Sequence, residues 1–218
     1  MKHRHLPSLL IAAVTLACAP AFALAQDNAA TTAPAAASAS KVVLDNSTRL
    51  LSTLEARRAE FRANAQALNT FIRSEFDQLF DRNLSARLVL GVHARGASDT
   101  DVKLFADALA ENLLQRYGTS LLDFDGRPQL RVKSETALPG GRGVRVATEL
   151  VRANGAPVPV DYLLRNNGGQ WKVFDVMIEG ISYVQTFKNQ FDPVLRQKSI
   201  SQVATELRAG KMQADAGN

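Results

Sequence analysis

The sequence predicts an α+β fold: a curved antiparallel sheet of about four strands, with N-terminal and C-terminal helices packed on it. Three observations carry this. Apolar residues recur at helical spacing from Leu44 to Leu122, alternate with polar ones from Leu130 to Ile178, and return to helical spacing after Ile181. The alternating region is cut by Pro139-Gly140-Gly141, Asn154-Gly155 and Asn166-Asn167-Gly168-Gly169, which are strong turn signals. Turns this short join neighbouring strands into an antiparallel meander.

The N-terminus reads as a secretory signal peptide over residues 1–25. Lys2 and Arg4 form a basic start, Leu9 to Cys18 is an apolar run, and Ala23-Leu24-Ala25 is a small-residue cleavage site. The run is shorter than the roughly 20 residues a membrane span needs. Acylation of Cys18 is the competing reading, and Thr15-Leu16-Ala17 is a poor approach to such a site. The expected address is the periplasm, with cleavage near Ala25. Cys18 is the one cysteine, so the exported chain is expected to lack thiol, disulfide and Cys-based metal chemistry, and to depend on a packed core. It is also expected to be soluble. Of 26 basic residues, losing Lys2 and Arg4 leaves 24 against 21 acidic ones, a net charge of +3. That scattered excess suits an anionic headgroup or membrane surface and excludes nucleic acid as a partner.

Residues 26–40 are Ala, Thr and Ser with one Pro, the composition of a disordered tether. The folded domain is expected over 41–210, with a flexible tail at 211–218. Leu44, Leu51, Leu54 and Phe61 predict one helix ending near Arg62. Leu68, Phe71, Ile72, Phe76, Leu79 and Phe80 form the very apolar stripe of a second, and a third runs from Leu84 to about His93. Ser98 and Asp101 read as a capping box for a fourth, ending near Leu122 and carrying Val102, Phe105, Leu109, Leu113 and Tyr117.

In the sheet, Leu130 and Val132 alternate with Arg131 and Lys133; Val144, Val146, Thr148 and Leu150 continue the pattern, as do Val158, Val160, Tyr162 and Leu164. The last strand has Phe174, Val176 and Ile178 on one parity and Trp171, Val173 and Met177 on the other. Apolar residues of both parities predict a central strand covered on both faces. Beyond it, Ile181, Val184, Phe187 and Phe191 predict a helix, Asp192-Pro193 its restart, and Ser201 the cap of a last helix stopped by Gly210.

Little in the chain points to catalysis. Of three histidines, only His93 lies outside the signal peptide, so a His-based metal cluster or a Ser-His-Asp triad with a spare base is not easily built. "PGGRG" sits between strands and reads as a turn, not a phosphate loop. Asp175, Glu179 and Tyr183 admit an acid/base reading, with Asp175 as a base in an apolar pocket. The structural alternative gives Asp175 a backbone or Arg partner, Glu179 the strand end and Tyr183 an amphipathic wall. Cofactor and metal are expected to be absent.

The stretches "GGQWKVFDVMIEGISYVQTFKNQF" and "LRQKSISQVATELR" resemble the C-terminal signature of the MlaC, or toluene-tolerance, family. The residues that carry the resemblance are Trp171, Phe174, Asp175, Glu179, Gly180, Ile181 and Ser182, with "ARLVLG" at 86–91 and "ASDTDVKLFADALAENLLQRYGTSL" at 97–121 keeping the family's order. It spans roughly 44–209. Val92-His93-Ala94 stands where members often carry an aromatic residue, and the alanine-rich tether and the tail have no counterpart. The resemblance implies a cystatin-like cup and a monomeric periplasmic carrier. Such a protein moves phospholipid between an outer-membrane lipoprotein–porin complex and an inner-membrane ABC transporter with a hexameric lipid-binding component.

Exposing about thirty methylenes to water costs roughly 25 kcal/mol at about 0.8 kcal/mol each, so a carrier needs apolar walls and no catalytic group. On this reading the wall candidates are Phe71, Phe76, Phe80, Leu88, Phe105, Leu109, Tyr117, Val146, Leu150, Tyr162, Val176, Val184 and Phe187. Arg95, Arg142 and Lys172 are the candidates for a headgroup rim. A carrier or sensor of a fatty acid, quinone or solvent, a small enzyme using Asp175 or Tyr183, and an adhesive module are the rival readings.

Overall fold

The computed structural model describes residues 37–123 and 128–216; the expected signal peptide and residues 26–36 of the expected tether lie outside them. Among the described residues, seven α-helices and a five-stranded open antiparallel sheet make up the fold, which is α+β as the sequence predicts. Helix α1 spans Ala39–Ala56, α2 Arg58–Ala63, α3 Ala65–Leu79, α4 Arg82–Leu90 and α5 Asp99–Tyr117. Strands β1 (Gln129–Ala137), β2 (Val144–Val151), β3 (Val158–Asn167) and β4 (Gln170–Ile178) follow. The two-residue β5 (Ile181–Ser182), α6 (Tyr183–Leu195) and α7 (Ile200–Arg208) complete the chain, and the strands lie in sequence order.

Several boundaries correct the sequence reading. The first predicted helix is two, broken at Arg57 (φ −107°, ψ 17°), and it starts inside the predicted tether. Ser38 caps it by accepting from the Lys41 amide, and Ala39 is fully buried. Ala39, Val43, Ser47 and Leu54 form its buried face, whereas Leu44 points outward. Ser98 does cap α5, but Asp101 accepts from the Ser98 hydroxyl (2.7 Å) instead of its amide, so the box is half built. The true capping box belongs to Ser199 and Gln202 at the start of α7, two residues before the predicted Ser201. Helix α6 runs through Pro193 as one element, without the predicted restart at Asp192-Pro193. Ile181 precedes that helix, exposed on β5.

The sheet contains the largest correction. β4 is not central: β3 flanks it on one side, and on the other β5 meets only Met177 and Ile178. The rest of that edge is covered by the end of α3, where Phe80 bridges to Val173 and the Asp81 amide donates to the Val173 carbonyl at 2.7 Å. A bulge explains the misreading. Tyr162 pairs with Val176 and Leu164 with Val173, so Phe174 is an extra residue and the parity of β4 reverses there. Trp171, Val173 and Val176 therefore share one face, packed with Val146 and Leu164. The opposite face carries the buried carboxylates of Asp161 and Asp175. A second bulge at Lys133 bends β1. The β1–β2 turn needs Gly143, because a Cβ there would sit 1.9 Å from the Leu164 carbonyl oxygen.

The apolar interior divides into three clusters. Helix α1 crosses one sheet face, packing Ala39 and Val43 with Leu79 on Val146, Leu164 and Val173. Helices α4, α5, α6 and α7 pack on each other around Phe105, Leu109, Phe187, Phe191 and Leu207. The third cluster gathers Leu54, Phe61, Leu68, Ile72 and Leu122 from α1 to α3 and the turn after α5. Residues 211–216, expected to be a flexible tail, are tied to the body: Asn112 donates to the Leu207 and Met212 carbonyls and accepts from the Ala214 amide.

Candidate functional site

The α1-facing side of the sheet is packed unevenly. At the end near the β1–β2 and β3–β4 turns, Val146, Leu164 and Val173 are fully buried. Tyr162 belongs there too; burial pushes its hydroxyl pKa up, against an opposing hydrogen bond with Ser47 on α1. At the other end the paired row Leu130, Leu150 and Val158 is only half-buried, as is Ile178. That end is where the sheet is loosely covered.

A cleft of about 450 Å³ opens beside that loose end. Leu51, Glu55 and Ala56 of α1 form one wall, and Pro128, Gln129 and Leu130 at the start of β1 the other. A second cleft, about 520 Å³ and open to solvent, lies between α2 and α3, lined by Arg57, Ala67, Thr70 and Phe71. Both volumes fall in the range of about 300–1,000 Å³ usual for small-molecule pockets. Arg57, at the break between α1 and α2, borders the second. Its guanidinium lies 4.5 Å from the Phe61 ring centroid and donates to the Glu60 carboxylate, which holds Glu60 below the usual carboxylate range.

The sequence candidates do not surround one space. Phe71 lines the α2–α3 cleft and stacks on Phe61, ring centroids 5.4 Å apart. Leu150 lies in the loosely covered row beside the other cleft. Val146, Tyr162, Val176 and Phe80 belong to the filled end of the sheet. Phe76 stacks on Phe80 at 4.3 Å and is 41% exposed, and Leu88 faces outward from α4. Phe105, Leu109, Val184 and Phe187 pack helix on helix, Phe105 edge-on to Phe191 at 5.4 Å. The Tyr117 hydroxyl is held by Asp215 and the Ala216 amide.

The rim candidates are likewise dispersed. Arg142 donates to the Pro139 carbonyl and Lys172 to that of Gln78, both at the filled end of the sheet, and Arg95 follows the turn after α4. Sequence reasoning missed Leu51, Ala56, Pro128 and Leu130 as cleft walls. Their one signal is the apolar start of a strand opposite a helix stripe, and in the sequence Leu51 and Leu130 stand out only as periodic positions.

Asp175 has its bonding capacity engaged inside the fold. Its carboxylate accepts from the Ser182 hydroxyl at 2.6 Å and from the Val184 amide at 3.1 Å, which locks β4 to the start of α6. Tyr183 lies edge-on to Phe187 at 6.0 Å, and burial raises its pKa. Glu179 sits at the tip of the β4–β5 hairpin.

Comparison with known proteins places this architecture. The chain is 28% identical over 181 residues to the toluene tolerance protein ttg2D of Pseudomonas putida, covering 80% of this chain and 83% of that protein. It is 22% identical over 168 residues to the intermembrane phospholipid transport system binding protein MlaC of Haemophilus influenzae, covering 76% and 78%. Its fold matches that of a phospholipid-binding protein from Ralstonia solanacearum, solved in complex with a phospholipid. The TM-score is 0.70 at 22% identity, over 80% of this chain and 98% of that one. Residues 44–209 match the MlaC protein family. With its helices wrapped on an open antiparallel sheet and this match across most of its length, the chain belongs to the MlaC family.

Proposed function

We propose that the protein is a periplasmic phospholipid carrier, exported by way of residues 1–25 and acting as a monomer without a chemical step. The acyl chains lodge between α1 and the loosely covered end of the sheet, against Leu51, Leu130, Leu150 and Val158. Phe71 and the α2–α3 cleft extend the apolar surface. Arg57, at the break between α1 and α2 and on the border of the second cleft, meets the phosphate. The donors and acceptors of the cargo are an outer-membrane lipoprotein–porin complex and an inner-membrane ABC transporter with a hexameric lipid-binding component.

The observation that carries this reading is the shared fold with a protein solved holding a phospholipid, within a family that includes an intermembrane phospholipid transport binding protein. The local physics agrees with it. A filled sheet end anchors α1, whereas a half-buried apolar row beside an open cleft can admit tails by small movements of one helix. An apolar wall also favours release to a bilayer, since few polar anchors oppose departure.

The test is organic extraction of the purified exported protein followed by mass spectrometry. Phospholipid near one molecule per chain supports the proposal. Fatty acid or quinone in its place, or no co-purified lipid after expression in a phospholipid-rich envelope, overturns it.

A further inference from the structure

We propose that the corner formed by the end of α4 and the 3-10 turn Gly91–Ala94 is a docking surface for an anionic lipid bilayer, whatever the clefts carry. Leu88 near the end of α4 and Val92 in the turn that follows it are 37% and 58% exposed, so this corner presents two aliphatic side chains to water. Two cations flank them. Arg95 is exposed just after the turn. The Lys188 stem lies against Gly91, so close that a Cβ there would be 2.9 Å from its Cε, which brings this cation to the same corner.

Charge at the corner is unbalanced. Asp99 is paired with Arg87 at 2.5 Å, and Asp192 with His93 at 3.0 Å and Arg196 at 2.7 Å. Hydrogen bonding to His93 and Arg196 holds Asp192 below the usual carboxylate range, so it stays an occupied anion. Arg95 and Lys188 meet no carboxylate among the described residues. The corner thus combines exposed aliphatic side chains with two cations that have no carboxylate partner among the described residues.

A bilayer fits better than an acidic protein face. The corner lines neither cleft. Its cations sit on long stems with no fixed hydrogen-bond geometry, which suits the diffuse charge of headgroups and not one oriented carboxylate. Two aliphatic groups reach only headgroup depth, so attachment is weak and reversible.

The test is co-sedimentation of the purified protein with vesicles. Phosphatidylcholine mixed with phosphatidylglycerol is compared with phosphatidylcholine alone, at low and high salt. The expected result is a partition at least about tenfold greater onto the anionic vesicles, lost with salt. Each cation contributes about fivefold, so Arg95→Gln with Lys188→Gln lowers binding about 25-fold. Val92→Trp raises it while leaving the thermal unfolding midpoint and the vesicle-free pellet unchanged, which separates the gain from misfolding. Equal partition onto both vesicles, unchanged binding by the double variant, or binding only to membranes bearing an acidic protein overturns the proposal.

Discussion

Ala214, fully buried near the end of the chain, donates its amide to the Asn112 side chain in the middle of α5 at 2.8 Å. The same amide group of Asn112 donates to the carbonyls of Leu207 and Met212 at 2.8 and 3.0 Å. One buried side chain thus clasps the C-terminal segment across about a hundred residues of sequence. Gln190 and Tyr117 add a second row of bonds to the same segment.

Asn112→Ala leaves these backbone groups without partners, and an unpaired buried group costs about 1–3 kcal/mol. The expected loss is about 2–4 kcal/mol in urea unfolding. Amide exchange at 212–216 should accelerate before that of the sheet.

Two apolar positions should separate core from cargo wall. Phe105→Ala removes a ring buried between α5 and α6 and should cost about 3–5 kcal/mol. Leu130→Trp instead fills the cleft beside β1. It should change the unfolding midpoint little and lower retained phospholipid at least about tenfold, read by lipid phosphorus per protein.

Asp107 supplies a pH signature. Burial works to raise its pKa, but the Lys103 hydrogen bond and the charges of Arg82, Lys103 and Arg208 outweigh it and hold the carboxyl below its ordinary value. A carboxyl depressed in the folded state contributes stability above its unfolded pKa of about 3.9, and that contribution disappears as pH falls through the lower folded value. Asp107→Asn should therefore cost about 1 kcal/mol at neutral pH. The gap between variant and parent should close in acid below about pH 4, measured by unfolding across pH.

Glu179 has φ +51° and precedes Gly180 at φ +84°, so the β4–β5 hairpin turns through two left-handed residues. Glycine or asparagine suits that first position better than glutamate does. Glu179→Gly should raise stability by about 1 kcal/mol in thermal unfolding, whereas the β-branched Glu179→Val should lower it.

Much of the fold was legible because each element repeats its signal. The alternation around Val146 and Tyr162 and the stripe from Val102 to Leu113 state their periods several times over. What failed were features decided by one residue or by distant partners. No glycine or proline marks the break at Arg57. Ser199 and Ser201 are both good caps locally, and Gln202 selects between them only through its reach back to the Ser199 amide. The bulge at Phe174 reverses the parity of β4, so alternation alone could not say which of its residues share a face. The site was less legible for a related reason. Period says that Phe105, Tyr162 and Phe71 face inward, but three separate clusters receive them. Which stripe faces another helix and which faces a cleft depends on tertiary placement, so Leu51 and Leu130 carried no mark of their own.

Where the tails lie is the point on which the carrier account turns, and a phospholipid with a photoactivatable acyl chain reads it directly. After loading and irradiation, peptide mapping should find the label on Leu51, Ala56, Leu130 or Leu150, along the seam between α1 and β1–β2. Label confined to the helical cluster around Phe105 and Phe187, or no specific label on a protein that retains lipid, would contradict it.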